Sequence, residues 1–168
     1  IRDAKGNITG FGARAMGDDK PKYLNSPQSL LFDKSGTLFG IDHARESIRQ
    51  SGQAVIVEGY MDVLIPHQVG ITNIVASLGT ALTPRHMDQV KRIAKTLILA
   101  LDADAAGDEA TLRGLEVARD VIDREAVPVP TWRGLIRFEH VLETEVRVLS
   151  LPRGKDPDEV VLEDPQLW

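Results

Sequence analysis

One stretch of the sequence decides the fold: residues 96–107, Thr-Leu-Ile-Leu-Ala-Leu-Asp-Ala-Asp-Ala-Ala-Gly. Its apolar run, residues 97–101, is too short for a membrane helix and predicts a strand buried on both faces, as in a parallel sheet. The sequence then turns polar at Asp102 and Asp104, and a helical pattern follows Gly107. Because ligands bind beyond the carboxyl ends of strands in open α/β sheets, both aspartates are candidates for a binding site. The alternative is an acidic helix N-terminus, where aspartates stabilise the helix dipole by roughly a few tenths of a kcal/mol.

The other apolar runs repeat this alternation of strand and helix. Further strands are predicted at residues 54–57, 73–77 and 146–151. Helices are predicted between them, with these boundaries: a cap at Asp42 and a stop at Gly52, a start near Asp62, a cap at Thr83 before Pro84, and a long helix at 108–126. Strands that alternate with helices predict βαβ units with right-handed crossovers. The fold class is therefore α/β, with a mainly parallel sheet flanked by helices.

Two segments depart from this alternation. Residues 1–11 predict a β-hairpin, and residues 21–27 form a proline-bounded loop, so an α+β appendage precedes the sheet. That loop either presents Lys22, Tyr23 and Asn25 to a ligand or is purely structural. Near the other end, Val-Pro-Val-Pro at 127–130 is expected to break the long helix, and the residues after it suit either a short helix or a hairpin.

Composition excludes several classes of protein. The 168 residues contain no cysteine, no apolar run of membrane-spanning length and no signal peptide, which argues against a disulfide framework, a thiolate zinc site and secretion. The net charge of −5 argues against a generic nucleic-acid-binding surface. Residues 1–34 nevertheless hold six Lys/Arg against four Asp. This asymmetry fits a basic strip beside a carboxylate cluster, or else ordinary variation in surface charge.

Acidic residues follow three of the four predicted strands. They form three pairs: Glu58 with Asp62, Asp102 with Asp104, and Asp156 with Asp158. In a parallel sheet these pairs emerge at one edge, where two carboxylates about 4 Å apart repel by up to ~4 kcal/mol at an effective dielectric of 20. Protonation or a bound cation relieves such repulsion. The four histidines are scattered without metal-ligand spacing, so the donors favour Mg²⁺ or Mn²⁺, ions that serve phosphoryl or nucleotidyl transfer.

Several motifs together resemble the TOPRIM domain of bacterial DnaG-type primases. Four follow the predicted strands: Glu-Gly-Tyr-Met-Asp at 58–62, Ala-Ser-Leu-Gly-Thr at 76–80, Asp-Ala-Asp-Ala-Ala-Gly at 102–107 and Asp-Pro-Asp at 156–158. Two lie upstream: Gly-Phe-Gly at 10–12 followed by Arg14, and Pro-Lys-Tyr-Leu-Asn-Ser at 21–26. A glutamate with Asp-x-Asp is shared with topoisomerases and some nucleases, whereas the Glu-Gly-Tyr-Met-Asp and Lys-Tyr-Leu-Asn-Ser pair is far more specific.

The resemblance implies a role for each acidic residue. It makes Glu58, Asp102 and Asp104 the catalytic residues that hold metal ions, with Asp156 as a further ligand. It makes Asp62 and Asp158 supporting acids. The cofactor implied is Mg²⁺ or Mn²⁺, and zinc belongs to a domain that this stretch does not include.

The resemblance also implies a nucleic-acid-binding edge and a reaction. Arg14, Lys22 and Lys34 match a basic ridge that guides template and nucleotide phosphates, and Asn25 shapes that edge. The reaction is the synthesis of RNA primers from nucleoside triphosphates on single-stranded DNA. The implied protein is a cytoplasmic monomer without a membrane segment, which meets the replicative helicase through a C-terminal domain.

The implied organisation has two parts. Residues 1–50 form the end of the N-terminal lobe of a primase core, and residues 51–168 form the TOPRIM domain with an insertion at 127–144. With no initiating methionine, we expect an excised fragment that need not be active alone. Two other hypotheses remain: a noncatalytic TOPRIM module that binds nucleic acid or partner proteins, and a topoisomerase- or nuclease-type TOPRIM domain.

Overall fold

The computed structural model describes residues 1–17, 20–79, 81–101, 105–123, 126–130, 136–140, 144–149, 151 and 155–165. Its elements in chain order are β1 (Gly12–Arg14), β2 (Tyr23–Asn25), a short 3-10 helix (Lys34–Gly36), α1 (Ile41–Ser51), β3 (Gln53–Val57), α2 (Met61–Gln68), β4 (Ile74–Ala76), α3 (Pro84–Val90), β5 (Thr96–Leu99), α4 (Ala105–Asp123), β6 (Ala126–Pro130), β7 (Ile136–His140), β8 (Glu145–Val148) and α5 (Pro157–Glu163). None of the helices in this described part combines the length and apolar character needed to cross a membrane.

The centre of the fold is a four-stranded sheet in the order β4-β3-β5-β8. Every neighbouring pair in it is parallel. The registers align the strand ends, since Val57 lies opposite Ala76, Ile56 opposite Leu99, and Leu99 opposite Val148. The predicted parallel α/β sheet is confirmed, and the segments that follow β3, β4, β5 and β8 leave it at one edge.

Both faces of the sheet are covered, as its unbroken apolar strands predict. Alternate residues of β3 point to opposite sides, so that Ala54 and Ile56 belong to one buried cluster and Val55 and Val57 to another. Buried residues of α1, α3 and α4 complete the first cluster, and Val63 of α2 lies in the second. Helix α5 packs beside α2. This two-sided burial holds the carboxyl ends of the strands in fixed positions.

The N-terminal part is built from short elements. Asp3 and Gly6 turn the chain back, and Arg2 forms an antiparallel bridge with Ile8, so the predicted hairpin is present. Strands β1 and β2 then form a two-stranded antiparallel ribbon, in which Arg14 lies opposite Tyr23. We call β1 and β2 the ribbon.

The ribbon is joined to the sheet by a connection that is itself packed. Phe39 exchanges two backbone hydrogen bonds with Ala76 of β4, at 2.8 and 3.1 Å. Leu38, Ile41 and Ile48 lie in the same buried cluster as β3. The division at residue 50 remains a prediction, and the packing of this connection continues across it.

One expectation for local structure is wrong. Asp42 does not cap α1: the N-cap is Gly40, with a left-handed φ of 80°, and Asp42 lies in the first turn, where its charge favours the helix dipole. The long helix α4 ends at Asp123, before the segment 127–130, which belongs to β6 and pairs antiparallel with β7, as the hairpin alternative predicts. Prolines are tolerated there because a two-stranded ribbon leaves backbone N–H groups outside the pairing.

Candidate functional site: a pocket at the carboxyl edge of the sheet

A pocket of about 320 Å³ lies where the ribbon meets the carboxyl edge of the sheet. Its lining combines cationic and amide residues of the ribbon with the acids that follow β3 and β8. From the ribbon side come Arg14, Lys22, Tyr23 and Asn25, and from the sheet side come Glu58, Asp62, Asp156 and Asp158. Eight of the eleven candidate site residues singled out from the sequence therefore meet around one cavity.

Asp62 connects two of the strand-end segments. It lies in the first turn of α2 with 7% of its surface exposed. One carboxylate oxygen accepts from the backbone N–H of Gly59 at 2.9 Å, and the other accepts from that of Asp158 at 3.4 Å. A Cβ at residue 59 would lie 2.8 Å from this carboxylate, so the contact requires glycine. Asp62 thus holds the segment after β3 against the start of α5.

Asp156 is positioned by the helix that it begins. It occupies the N-cap of α5, with Pro157 in the first turn, and its backbone N–H donates to the carboxylate of Glu159 at 3.3 Å. Glu159 also lines the pocket, although the sequence analysis did not identify it. A capping arrangement of this kind orients the backbone at the helix start and places Asp156 at the pocket rim.

The two cations of the pocket gather around one aromatic ring. The Nε of Arg14 donates to the hydroxyl of Tyr23 at 3.2 Å. The guanidinium carbon of Arg14 and the Nζ of Lys22 lie 5.8 and 5.7 Å from the centre of the Tyr23 ring. Both distances are within the range of a cation–π contact, so the ring holds these charges at the mouth of the pocket.

Tyr60 joins the two sides of the pocket. Its ring makes an edge-to-face contact with Phe39 at 4.9 Å and lies 5.9 Å from Tyr23. Its hydroxyl donates to the side-chain oxygen of Asn25, whose amide nitrogen donates to the backbone oxygen of Leu78 at 3.3 Å. Partial burial raises the pKa of Tyr60, so the hydroxyl stays protonated and able to donate. The sequence analysis quoted Tyr60 within a motif but gave it no role.

Lys34 is placed elsewhere among the described residues and does not line the pocket. It begins the 3-10 helix, and its backbone oxygen lies 2.9 Å from the Nε2 of His86 in α3. Since the Nδ1 of His86 accepts from the backbone N–H of Thr83 at 3.3 Å, Nε2 carries the proton and donates to Lys34. His86 is fully buried and acts as a packing residue.

Strand β5 lies between β3 and β8 in the sheet. Asp102 and Asp104, predicted at its end, fall outside the described residues. Leu101, which precedes them, is buried beneath the edge of the sheet. Within the described ranges, no group of three or more His, Cys, Asp or Glu side chains is placed to hold a metal ion. The acids that do line the pocket are carboxylates, the donors preferred by hard divalent cations.

Comparison with known families agrees with this α/β sheet and its acidic edge. A family model described as Toprim-like matches residues 55–133, and one described as the N-terminal domain of the DNA primase catalytic core matches residues 1–45. The fold and the pocket thus define a Toprim-like domain adjoined by part of a second lobe. The chain belongs to the bacterial DnaG-type DNA primases, as their TOPRIM region.

Individual relatives give the extent of the similarity. The DNA primases of Halalkalibacterium halodurans and Deinococcus radiodurans are each 42% identical to the chain, over 161 and 163 residues. Each alignment covers 96% of this chain but only 23% and 25% of the relative, so the chain spans about a quarter of their length.

Two solved structures extend the comparison to three dimensions. A DNA primase domain from Pseudomonas aeruginosa has a TM-score of 0.79 at 39% identity, with coverage of 98% of this chain and 46% of that domain. The zinc-binding and RNA polymerase domains of the Aquifex aeolicus primase give 0.80 at 35% identity, with coverage of 99% and 36%.

Proposed function

We propose that this chain is the metal-binding part of a primase catalytic core, and that its parent synthesises short RNA primers from nucleoside triphosphates on single-stranded DNA. The observation that carries the proposal is the pocket, where the cations of the ribbon face the strand-end acids. A growing nucleic acid and an incoming nucleotide bring phosphates, and the chemistry requires a cation held by carboxylates. In the pocket, the cations of the ribbon can bind the phosphates, and the strand-end acids can hold the metal ion.

In this proposal the acids divide into two roles. Glu58, Asp102 and Asp104 hold divalent metal, with Asp156 as a further ligand. Asp62 and Asp158 support them, and the bonds from Asp62 to both flanking segments fit that role. A bound Mg²⁺ or Mn²⁺ stabilises the charge that develops on the attacking and leaving oxygens.

The cations of the ribbon bind phosphates. Arg14 and Lys22 line the pocket at its mouth, and Asn25 fixes the edge between them and the sheet. Because the contacts are to phosphates, they position the strand without reading its sequence. We keep Lys34 in this proposal as a further phosphate-binding cation of the basic ridge, outside the described lining of the pocket.

The proposed partners follow from the family. One similar structure is a DnaG primase catalytic domain bound to single-stranded DNA, and another is the RNA polymerase domain of the Mycobacterium tuberculosis primase in complex with double-stranded DNA. We propose single-stranded DNA, nucleoside triphosphates and the RNA primer as ligands of the parent protein. We also propose that the parent is a cytoplasmic monomer that meets the replicative helicase through a segment outside this chain.

A single substitution in the full-length parent tests the proposal. Glu58→Gln should lower primer synthesis by at least about a hundredfold, because it removes a metal-binding charge at the reacting centre, while affinity for single-stranded DNA stays within about twofold. Glu46→Gln on the exposed face of α1 is the matched control and should leave both unchanged. Retained synthesis in Glu58→Gln would remove Glu58 from the mechanism. A parallel loss of DNA affinity would make its role structural.

A further inference from the structure

Tyr60 stands where the segments that form the pocket meet. It follows β3 closely, next to Glu58 and Gly59, and it too lines the pocket. Its ring packs against Phe39, which is paired with β4, and against Tyr23 of the ribbon. The side chain of Tyr60 therefore contacts both the ribbon and Phe39. Its backbone belongs to the segment after β3 that also carries Glu58.

The backbone of the ribbon lies very close to the side chain of Tyr60. A Cβ built on Gly12 of β1 would overlap both the hydroxyl oxygen of Tyr60 and the ring carbon that carries it. Such an overlap is not tolerated between heavy atoms, so the backbone of β1 rests directly on the phenol. A larger residue at position 12 would have to displace the phenol or the ribbon from this arrangement.

The hydroxyl adds a directional link to this contact. It donates to Asn25 of β2, and Asn25 in turn donates to the backbone oxygen of Leu78 after β4. Leu78 is 3% exposed and has a left-handed φ of 60°, a conformation that a leucine keeps only where its surroundings impose it. Through these two hydrogen bonds, Asn25 links β2 both to Tyr60 and to Leu78, a buried residue at the edge of the sheet.

We propose that Tyr60 is a positioning residue that sets the spacing between the phosphate-binding cations of the ribbon and the metal-binding acids of the strand ends. The inference rests on the proposed function but concerns a residue that contacts neither phosphate nor metal in that proposal. Arg14 of β1 and Lys22, the residue before β2, both line the pocket, and Gly12 and Asn25 of the same two strands contact Tyr60. Loss of the phenol therefore shifts both cations together relative to the acids.

Kinetics of the full-length parent test this role. Tyr60→Phe keeps the ring but loses the hydroxyl, and it should lower kcat for primer synthesis roughly ten- to hundredfold, because misplacement of about 1 Å has such effects. KM for nucleotides and affinity for single-stranded DNA should stay within about twofold, since each wall of the pocket remains intact. Thr83→Ala is the control: it also removes a hydroxyl bond between the N-terminal part and the sheet unit, to Ser35 at 2.6 Å, but away from the pocket. It should lower stability and leave kcat unchanged.

A double-mutant cycle tests the contact with Gly12. Gly12→Ala alone should lower kcat, because the new methyl group collides with the phenol. In a Tyr60→Ala background the same change should cost nothing further, since its collision partner is absent. Additive losses would overturn the inference, and so would a kcat of Tyr60→Phe equal to that of the wild type. If Tyr60→Ala does not fold, Tyr60→Leu replaces it in the cycle.

A measurement on the 168-residue chain separates this inference from the proposed function. Mn²⁺ bound at the acids should broaden the amide signals of the ribbon in proportion to their proximity, and Tyr60→Phe should change that broadening, whereas Thr83→Ala should not. If Mn²⁺ broadens no signal near the pocket in the wild type, the proposed metal site fails. The kinetic comparison and the cycle then still decide whether Tyr60 positions the ribbon.

Discussion

Two contacts between the N-terminal part of the chain and the α/β unit differ in their chemistry. At the first, the 3-10 helix rests on α3, and we call this contact the α3 junction. Three neutral side chains there donate to consecutive backbone oxygens: His86 to Lys34 at 2.9 Å, Thr83 to Ser35 at 2.6 Å and Gln89 to Gly36 at 2.7 Å. The charged side chains described across this contact, Arg85 and Asp33, neutralise each other as an ion pair. At the second, the ribbon faces the pocket, and charged residues of both signs dominate the lining.

The difference separates structural from functional polar groups. Hydrogen bonds between neutral groups at a buried contact stabilise the folded state without needing a ligand. Several carboxylates at one sheet edge repel one another, and this arrangement lowers stability until a cation binds between them. We therefore expect substitutions at the α3 junction to change stability and substitutions in the pocket to change ligand binding.

The largest effect expected is stabilisation of the pocket by metal. Mg²⁺ or Mn²⁺ should raise the melting temperature of the chain, because an ion that binds only the folded state adds about 2.7 kcal/mol at 100 times its dissociation constant. Thermal unfolding in chelator and in millimolar metal measures it. Asp102→Asn should abolish the shift, and Asp120→Asn on the exposed surface of α4 should keep it. An unchanged midpoint in every protein would refute a metal site in this chain.

The next effect belongs to the α3 junction. Thr83→Ala should lower the free energy of unfolding by about 1 kcal/mol, the usual cost of losing an N-cap, because Thr83 accepts from the backbone N–H of His86 at 3.2 Å. Chemical denaturation measures the change. Affinity of the parent for single-stranded DNA should not move. If it falls together with stability, the α3 junction and the pocket are not independent.

A smaller effect should appear in the salt dependence of DNA binding. Removing one phosphate-binding cation should flatten the slope of log affinity against log salt by about 0.7 for single strands, or ~2.6-fold over a fourfold change in salt. Arg14→Ala and Lys22→Ala in the parent should each show this, with similar decreases in affinity on all template sequences. Arg49→Ala, at an exposed position in the last turn of α1, serves as the control. Identical slopes in all the proteins would mean that the ribbon does not bind phosphates.

The smallest effect is a pH dependence at the α3 junction. Burial lowers the pKa of His86 below its ordinary value of 6.5, and the hydrogen bond to Lys34 only partly opposes this. Below pH 6.5, His86 binds a proton in the unfolded chain more readily than in the folded chain. The stabilisation is therefore complete above about pH 6.5 and is lost as the pH falls towards the lowered folded value.

Denaturation at about pH 7.5, 6.5 and 5.5 measures this dependence. His86→Gln should reduce the decline over the lower half of that range, whereas His43→Gln should not, because the side chain of His43 is 74% exposed. Burial also lowers the pKa of His67, so part of the decline should remain in both variants. Asp33 and Arg85, the charged groups beside His86, are unchanged in the comparison. Equal declines in the wild type and His86→Gln would contradict the assignment.

The sequence was a reliable guide to the sheet for a physical reason. A strand covered on both faces needs an unbroken apolar run, and β3, β4 and β5 all lie in such runs. Gly52 and Thr83 marked helix ends because their local chemistry permits few alternatives: the first has a left-handed φ of 71°, and the second accepts from the helix backbone. Such signals act within a few residues of the chain.

The cap at Asp42 was a local error, since the helix begins directly after Gly40, but pairing between distant segments lies outside such short ranges. Pro128 is opposite Phe138 in β6 and β7, a partner that proline-based turn rules do not consider. The ribbon has little apolar pattern because its strands are mostly exposed, so its pairing of Gly12 with Asn25 was not predicted.

The site shows the same limit. Most of the charged residues of the pocket could be identified from the sequence. The acids follow predicted strands, and the cations lie in the basic N-terminal part of the chain. The contact between Gly12 and Tyr60 could not be identified, since nothing in either residue's neighbourhood specifies the other. The Gly-Phe-Gly motif at 10–12, which contains Gly12, permits close backbone approach, but it does not indicate which residue approaches.

The strand order also sets a sequence of events during folding. β3, β4 and β5 all lie within residues 53–99, whereas residues 100–144 separate β5 from β8. Pairing of distant segments is slow because the chain must close a long loop first. We therefore expect a nascent chain to pair these three strands before β8 and α5 have been synthesised. Glu58 and Tyr60, the residue that the ribbon contacts, would then already be in place. The wall that carries Asp156 and Asp158 would close the pocket last.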